Sequence, residues 1–375
     1  MDSQAVTVTM DIEQPWTIIS HLRDVLDVLE NAVESDYEKE ISFLTAQQFT
    51  VEQPWTIIAH LRDVLDVLEN AVESDYEKEI SSLTAQQSCF PEDETEMRGK
   101  LNDLQGQWWK RLGESDRELF NEDGFYPYYT KQKPRILFVG REACWMAKKN
   151  YIDTLCNQLK NGMVGKWTVD QYPFHKRQFY IAYGLLASRV GEATGFPEWD
   201  KVPWASDLAK ILFARCEKDV RALESASIKP VEKLSSLSWA FMNLSKLSNE
   251  TGDWRTDDRR YRPFVENKTN QMFIRNEIRI LQPDIIIGSN VYDLVNILGY
   301  KRNADKSSVS CDYYESESNQ WPPFINCYHF SAIKKDYECF YKAVGDIIGK
   351  VTLQFDWSNN KTLETVDDLN AEVSK

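Results

Sequence analysis

The spacing of hydrophobic and polar positions changes along this chain. Between Glu13 and Gln87 apolar residues recur every three or four positions. In the second half of that stretch Leu61, Leu65, Leu68, Val72, Tyr76, Ile80 and Leu83 form one stripe, flanked by Asp63, Asp66, Glu69, Glu73 and Glu77. This is the pattern of an amphipathic helix. Further along, short unbroken apolar runs replace the stripe. Ile136-Leu137-Phe138-Val139 runs into Gly140, Ser238 to Leu244 ends in an amide at Asn243, Asp284 to Gly288 contains three isoleucines, and Phe324 to Tyr328 leads into His329. Runs of this length predict buried strands, and Phe273 to Leu281, stopped by Pro283, predicts a helix between the second and third. Strands alternating with helical stretches predict a three-layer α/β fold around a four-stranded, mostly parallel sheet.

The helical stretch is a tandem duplication. Glu13 to Gln48 repeats as Glu52 to Gln87 at an offset of 39 residues, with Ser20 becoming Ala59 and Phe43 becoming Ser82. Pro15 and Pro54 suit a first helical turn, where no backbone donor is lost. The two copies predict an all-α antiparallel hairpin over residues 1–90, followed by an α/β domain over 91–350 and a polar C-terminal tail over 351–375. A single hairpin covers its own apolar stripe poorly. The stripe therefore calls for cover by the chain's own body, by a second copy in a homodimer, or by a protein partner docking through residues 13–87.

Composition adds limits. The chain has 375 residues, 42% of them hydrophobic and 12% aromatic, enough for a large core. No apolar run approaches the roughly 18 residues of a membrane helix, and no basic-then-apolar leader opens the sequence, so a cytoplasmic protein with no membrane partner is expected. Seven scattered cysteines without a Cys-x-x-Cys pair argue against a disulfide framework, structural zinc or an iron–sulfur cluster. Residues 1–90 hold eighteen acidic and four basic side chains, a net of −14 against −15 for the whole chain. The remainder is close to neutral, so a local basic face and a nucleic-acid substrate remain open.

The strand ends carry the candidate chemistry. In order along the chain come a strand with Gly140-x-Glu142, a strand ending at Asn243, a helix with a Pro-Asp-strand and Gly288, and a strand with His329-x-Ser331. This order resembles the uracil-DNA glycosylase superfamily, whose best-known branch reads GQDPY, LLLN and HPSPLS at three of these places. The resemblance covers roughly residues 130–345. It implies a uracil-DNA glycosylase-like fold and three catalytic residues: Glu142 to position the attacking water, Asn243 to read the edge of an extruded base, and His329 to donate to the base oxygen that gains charge. It implies substrate contacts from Gly140, Arg141, Cys144, Trp145, Ser289 and Ser331. Phosphate contacts are expected from Arg259, Arg260 and Arg262 in a dense basic cluster and from Lys334 and Lys335 after the histidine, beside the apolar Ile333.

Departures from the resemblance bear on substrate. Where GQDPY has Gln, Pro and Tyr, this chain has Arg141, Ala143 and Cys144, and the first Pro of HPSPLS is Phe330. Cys144 in place of a tyrosine enlarges the space beside C5 of a pyrimidine. An insertion before Asn243 brings Trp167, Tyr172, Phe174, His175, Phe179 and Tyr180, any of which offers a stacking surface. The expected activity is hydrolysis of the N-glycosidic bond of uracil or of a C5-modified pyrimidine in duplex DNA, including hypermodified cytosines of phage DNA, as in base-excision repair or antiviral defence. No metal or organic cofactor is expected. The alternative is a non-catalytic nucleic-acid or nucleotide-binding protein on the same scaffold, with the repeats mediating partner interaction.

Overall fold

In the computed structural model the described residues are 92–188, 195–214, 237–251, 255–351, 353, 355–358, 360 and 362–365. The chain divides into two units, residues 1–88 and 89–375, and every described residue belongs to the second. The expected helical hairpin of residues 1–90, with its partner-binding role, lies outside the described residues.

The α-helices of six or more residues among those described are α1 (Glu92–Arg111), α2 (Tyr151–Leu159), α3 (Pro173–Ala187), α4 (Ala205–Ala214), α5 (Asp258–Glu266), α6 (Lys268–Leu281), α7 (Asp293–Leu298) and α8 (Lys342–Ile348). The strands are β1 (Gly124–Phe125), β2 (Ile136–Gly140), β3 (Met163–Val164), β4 (Trp167–Thr168), β5 (Ala240–Asn243), β6 (Ile285–Ser289), β7 (Tyr300–Arg302), β8 (Cys311–Ser316) and β9 (Phe324–Cys327). Strands β3 and β4 form a separate two-residue hairpin. The others build one sheet in the order β1-β5-β2-β6-β9-β8-β7.

That sheet has seven strands and is mixed, not four-stranded and mostly parallel. The four apolar runs of the sequence form its parallel centre, β5-β2-β6-β9. Three antiparallel strands extend it: β1 beside β5, and β8 and then β7 beyond β9. Their residues explain why pattern reading passes over them. Strand β1 is two residues long, β7 carries the exposed Lys301 and Arg302, and β8 mixes buried Tyr313 and Tyr314 with half-buried Asp312 and Glu315.

Side-chain alternation assigns each face of the central strands to its own core. Ile136, Phe138, Phe241, Ile285, Ile287 and Ile325 point to a layer that includes α2, α3, α4 and α8. Leu137, Val139, Ala240, Met242, Ile286 and Phe324 point to the opposite layer, which includes α1, α5, α6 and α7. The sheet is thus sandwiched between two helical layers. Helix α6 starts at Asn267, whose side chain accepts from the Asn270 amide, and stops at Gln282, which turns left-handed at φ 49° just before Pro283. Of the described residues after 350, Leu353 joins the opposite core, whereas Trp357 and Glu364 attach to α6 and the turn that ends it. Trp357 is buried and donates to the Pro283 carbonyl at 2.9 Å, and the Glu364 carboxylate receives Arg275 and Arg279.

The topology fixes where a ligand crevice opens. Strand β2 leads to β5 on one side, whereas β6 leads to β9 on the other, so the direction of winding reverses between β2 and β6. In open α/β sheets the crevice lies outside the carboxyl ends of the strands at such a reversal.

Candidate functional site at the carboxyl ends of the central strands

Backbone register brings the four strand-end motifs side by side. Gly140 pairs with Asn243, Val139 with Gly288, and Ser289 with Cys327. The loops that start at Arg141, Leu244, Asn290 and Tyr328 therefore leave one edge of the sheet. Strain gathers there as well: Trp145 and Asn290 both adopt left-handed backbone, at φ 56° and 60°. For a bulky residue such as Trp this conformation costs about 1–2 kcal/mol.

Gly140 is required by close packing. A β-carbon there would lie 2.6 Å from the Asn243 Oδ1 and 3.1 Å from the Phe241 ring. Asn243 itself is only 1% exposed and forms the floor of the edge. Its backbone N–H donates to Asp123 Oδ2 at 2.6 Å, and its side-chain Nδ2 reaches Asp123 Oδ1 at 3.4 Å. Asp123 in turn holds Lys246, which also pairs with Glu277 at 2.8 Å, and all three side chains are fully buried. Burial penalises the ammonium, but the two carboxylates outweigh that penalty and keep Lys246 charged; burial raises both carboxyl groups.

Glu142 is half-buried. Its Oε1 accepts the Asp257 backbone N–H at 2.9 Å and the Asn249 side-chain amide at 3.3 Å, which ties the β2 loop to the start of α5. Burial raises its carboxyl above the ordinary range, opposed by those two hydrogen bonds and by Arg141. Arg141 lies over the Tyr261 ring at 4.5 Å and reaches Asp258 at 3.5 Å, while the Tyr261 hydroxyl donates to Asp293 at 2.9 Å.

His329 has a defined tautomer. The Ser331 backbone N–H donates to its Nδ1 at 3.2 Å, so in the neutral ring the proton sits on Nε2, which is the donor. Burial, then Arg141, then Arg177 lower its pKa, so the ring is neutral at physiological pH. The Ser289 hydroxyl accepts the Phe330 N–H at 2.8 Å and fastens the end of β6 to this loop. Phe174, from the insertion, packs against the imidazole at 5.7 Å between ring centroids and also against Phe241 and Phe330. His175 is buried beside Tyr172 and Phe174, and burial pushes its pKa down to about 4. Cys144 lies within electrostatic reach of Tyr151 and Tyr172.

The other expected residues divide by exposure. Ser289 is buried and structural in its contacts, whereas Ser331 is exposed and contributes its backbone to His329. Trp145 is 40% exposed. Arg259, Arg260 and Arg262 are exposed on α5; Arg260 approaches Asp257 at 3.9 Å and Arg262 approaches Asp258 at 3.6 Å. Exposed pairs of this kind contribute little. Lys334 lies over the Tyr328 ring at 5.0 Å, Lys335 pairs with Glu338 at 3.1 Å, and Ile333 between Ala332 and Lys334 is completely exposed.

Asp123, Arg177 and Asn249 are not among the residues that the sequence singles out, yet each fixes one of them, and Lys246 in turn holds Asp123. Their partners lie 107–159 positions away, so no local spacing announces them. A small open cleft near Arg98, Asp123, Asn150 and Asp153 touches this network only through Asp123. It contains none of the expected catalytic residues. Among the described residues no group of three or more His, Cys, Asp or Glu is arranged to hold a metal ion, and no helix is long and apolar enough to cross a membrane.

No protein-family model matches this sequence, and no curated protein or solved structure matches it either.

Proposed function

We propose that the protein is a DNA glycosylase, hydrolysing the N-glycosidic bond of an extruded uracil or C5-modified pyrimidine. The observation that carries this reading is His329: a neutral imidazole whose Nδ1 is satisfied by a backbone amide and whose Nε2 is left as a donor, beside Phe174 and within the field of Arg141. A neutral donor of this kind stabilises negative charge growing on a departing base, and one well-placed donor contributes about 3–4 kcal/mol to such a step. Glu142 would take the proton of the attacking water, a task suited to a carboxyl whose basicity burial has increased. Asn243, with its amide turned by Asp123, would read the base edge from the floor of the crevice. Phe174 offers the stacking surface for the flipped ring.

The test is base release. Purified protein, incubated with duplexes carrying uracil and a panel of C5-substituted pyrimidines, is expected to generate alkali-labile sites on at least one. His329→Gln should slow release by about 10²-fold or more. An absence of strand breaks across the whole panel, with the duplexes bound, would overturn the reading.

One observation favours a second reading. Both contacts of Glu142 Oε1 hold a loop together, which is what a purely structural carboxylate would do. On that reading the scaffold binds nucleic acid without breaking a bond, and bound duplexes remain intact under all conditions.

A further inference from the structure

Arg177 lies on α3, in the segment between the first and second motifs, and only 3% of it is exposed. A guanidinium buried among aromatic residues is costly unless its donors are used. Here they are used on one short segment. Nη1 donates to the carbonyls of Phe330 and of Ala332, the latter at 2.9 Å; Nη2 donates to the Lys334 carbonyl at 2.7 Å; Nε donates to Asp336 Oδ1 at 2.8 Å. The Arg177 Cζ lies over the Phe340 ring, 4.0 Å from its centroid, and Lys176 pairs with the other oxygen of Asp336 at 2.7 Å.

The clasped residues are alternate members of the loop that follows His329. Ser331, whose N–H donates to His329 Nδ1, sits between Phe330 and Ala332, both held by Nη1. The Ala332 N–H returns to the His329 carbonyl at 2.8 Å. The loop is fixed from one side by Ser289 through the Phe330 N–H and from the other by Arg177 through three carbonyls. A planar fork with five donors can span such a set; a lysine, with a single nitrogen, cannot.

We propose that Arg177 is the positioning residue for His329: by clasping the Phe330, Ala332 and Lys334 carbonyls it holds the Ser331 amide on Nδ1 and so keeps Nε2 as the donating nitrogen. The catalytic consequence rests on the glycosylase reading above. The tautomeric consequence does not, and the two are separable by experiment.

The chain contains four histidines, so nitrogen-15 labelling of histidine in the full-length protein gives a simple spectrum. In the wild type His329 is expected as a single Nε2–H tautomer at neutral pH. Arg177→Lys keeps the positive charge but not the fork, and is expected to give His329 shifts intermediate between the two tautomers. Under single-turnover conditions at saturating protein the same substitution should slow base release by about 10-fold or more and cause no further loss in a His329→Gln background, as expected of groups acting as one unit. A single Nε2–H tautomer persisting in Arg177→Lys, or a loss that adds in full to that of His329→Gln, overturns the proposal. Should Arg177→Lys fail to fold, Asp336→Asn, which weakens one of the four contacts, is read in the same two ways. If the tautomer mixes while the wild type releases no base from any duplex, the positioning role stands and the glycosylase reading falls.

Discussion

Glu142 and His329 are opposite perturbations of ordinary groups. Burial raises the carboxyl of Glu142, so its ionised form is penalised in the folded state. That penalty is present above the folded pKa and disappears as the pH falls below the unfolded value. Glu142→Gln keeps an oxygen for the Asp257 and Asn249 donors while removing the charge. It is therefore expected to abolish base release yet raise the thermal midpoint by about 1–3 °C at pH 7, with the gain vanishing near pH 4 in scanning calorimetry. The rate of base release should fall on acidification with a single break above the ordinary glutamate range, because the base must be ionised. His329, whose pKa is lowered by burial, Arg141 and Arg177, should break below the ordinary histidine range. A pH–rate profile of wild type and of an active-site variant that retains measurable activity separates the two.

At the scale of elements, the ends of strands are joined by groups from distant parts of the chain. Lys246, three residues past β5, pairs with both Asp123 and Glu277 inside the α1–α6 layer. Lys246→Met would leave two carboxylates buried without a cation, and should cost about 3–5 kcal/mol in denaturant unfolding. Because Asp123 also orients Asn243, base release should fall in parallel even where the variant remains folded. The sequence makes some of this legible and hides the rest. The four central strands stand out because unbroken apolar runs are what burial on both faces demands. Gly140, Asn243 and His329 stand out because they sit where those runs stop. Strands β1, β7 and β8 do not, being short, charged or only partly buried. Arg177 and Lys246 do not either, since Asp336 pairs with the one and Asp123 with the other from more than a hundred residues away, which leaves no local period.

For the molecule as a whole, charge is segregated between the ends of the chain. Residues 1–90 hold nearly all of the net negative charge, and the exposed cations of α5 and of the loop after His329 belong to a near-neutral remainder. If Arg259 and Lys334 meet phosphates, exchanging both for Ala should make the dependence of log Kd on log salt shallower by about 2, uniformly across duplex sequences. The rate of the chemical step at saturating protein should not change. A salt slope unaltered in the double variant would remove these residues from the interface.

The register of β2 against β5 has a further meaning for how such a chain can change over time. Gly140 and Asn243 stand opposite each other because a backbone ladder puts them there. Side-chain packing can drift by repacking, but a ladder shifts only in whole residues, and a shift of one would turn Asn243 to the other face of the sheet. An insertion or deletion inside either strand therefore moves Asn243 off this edge, whereas substitutions that keep the register leave Gly140 and Asn243 opposite each other.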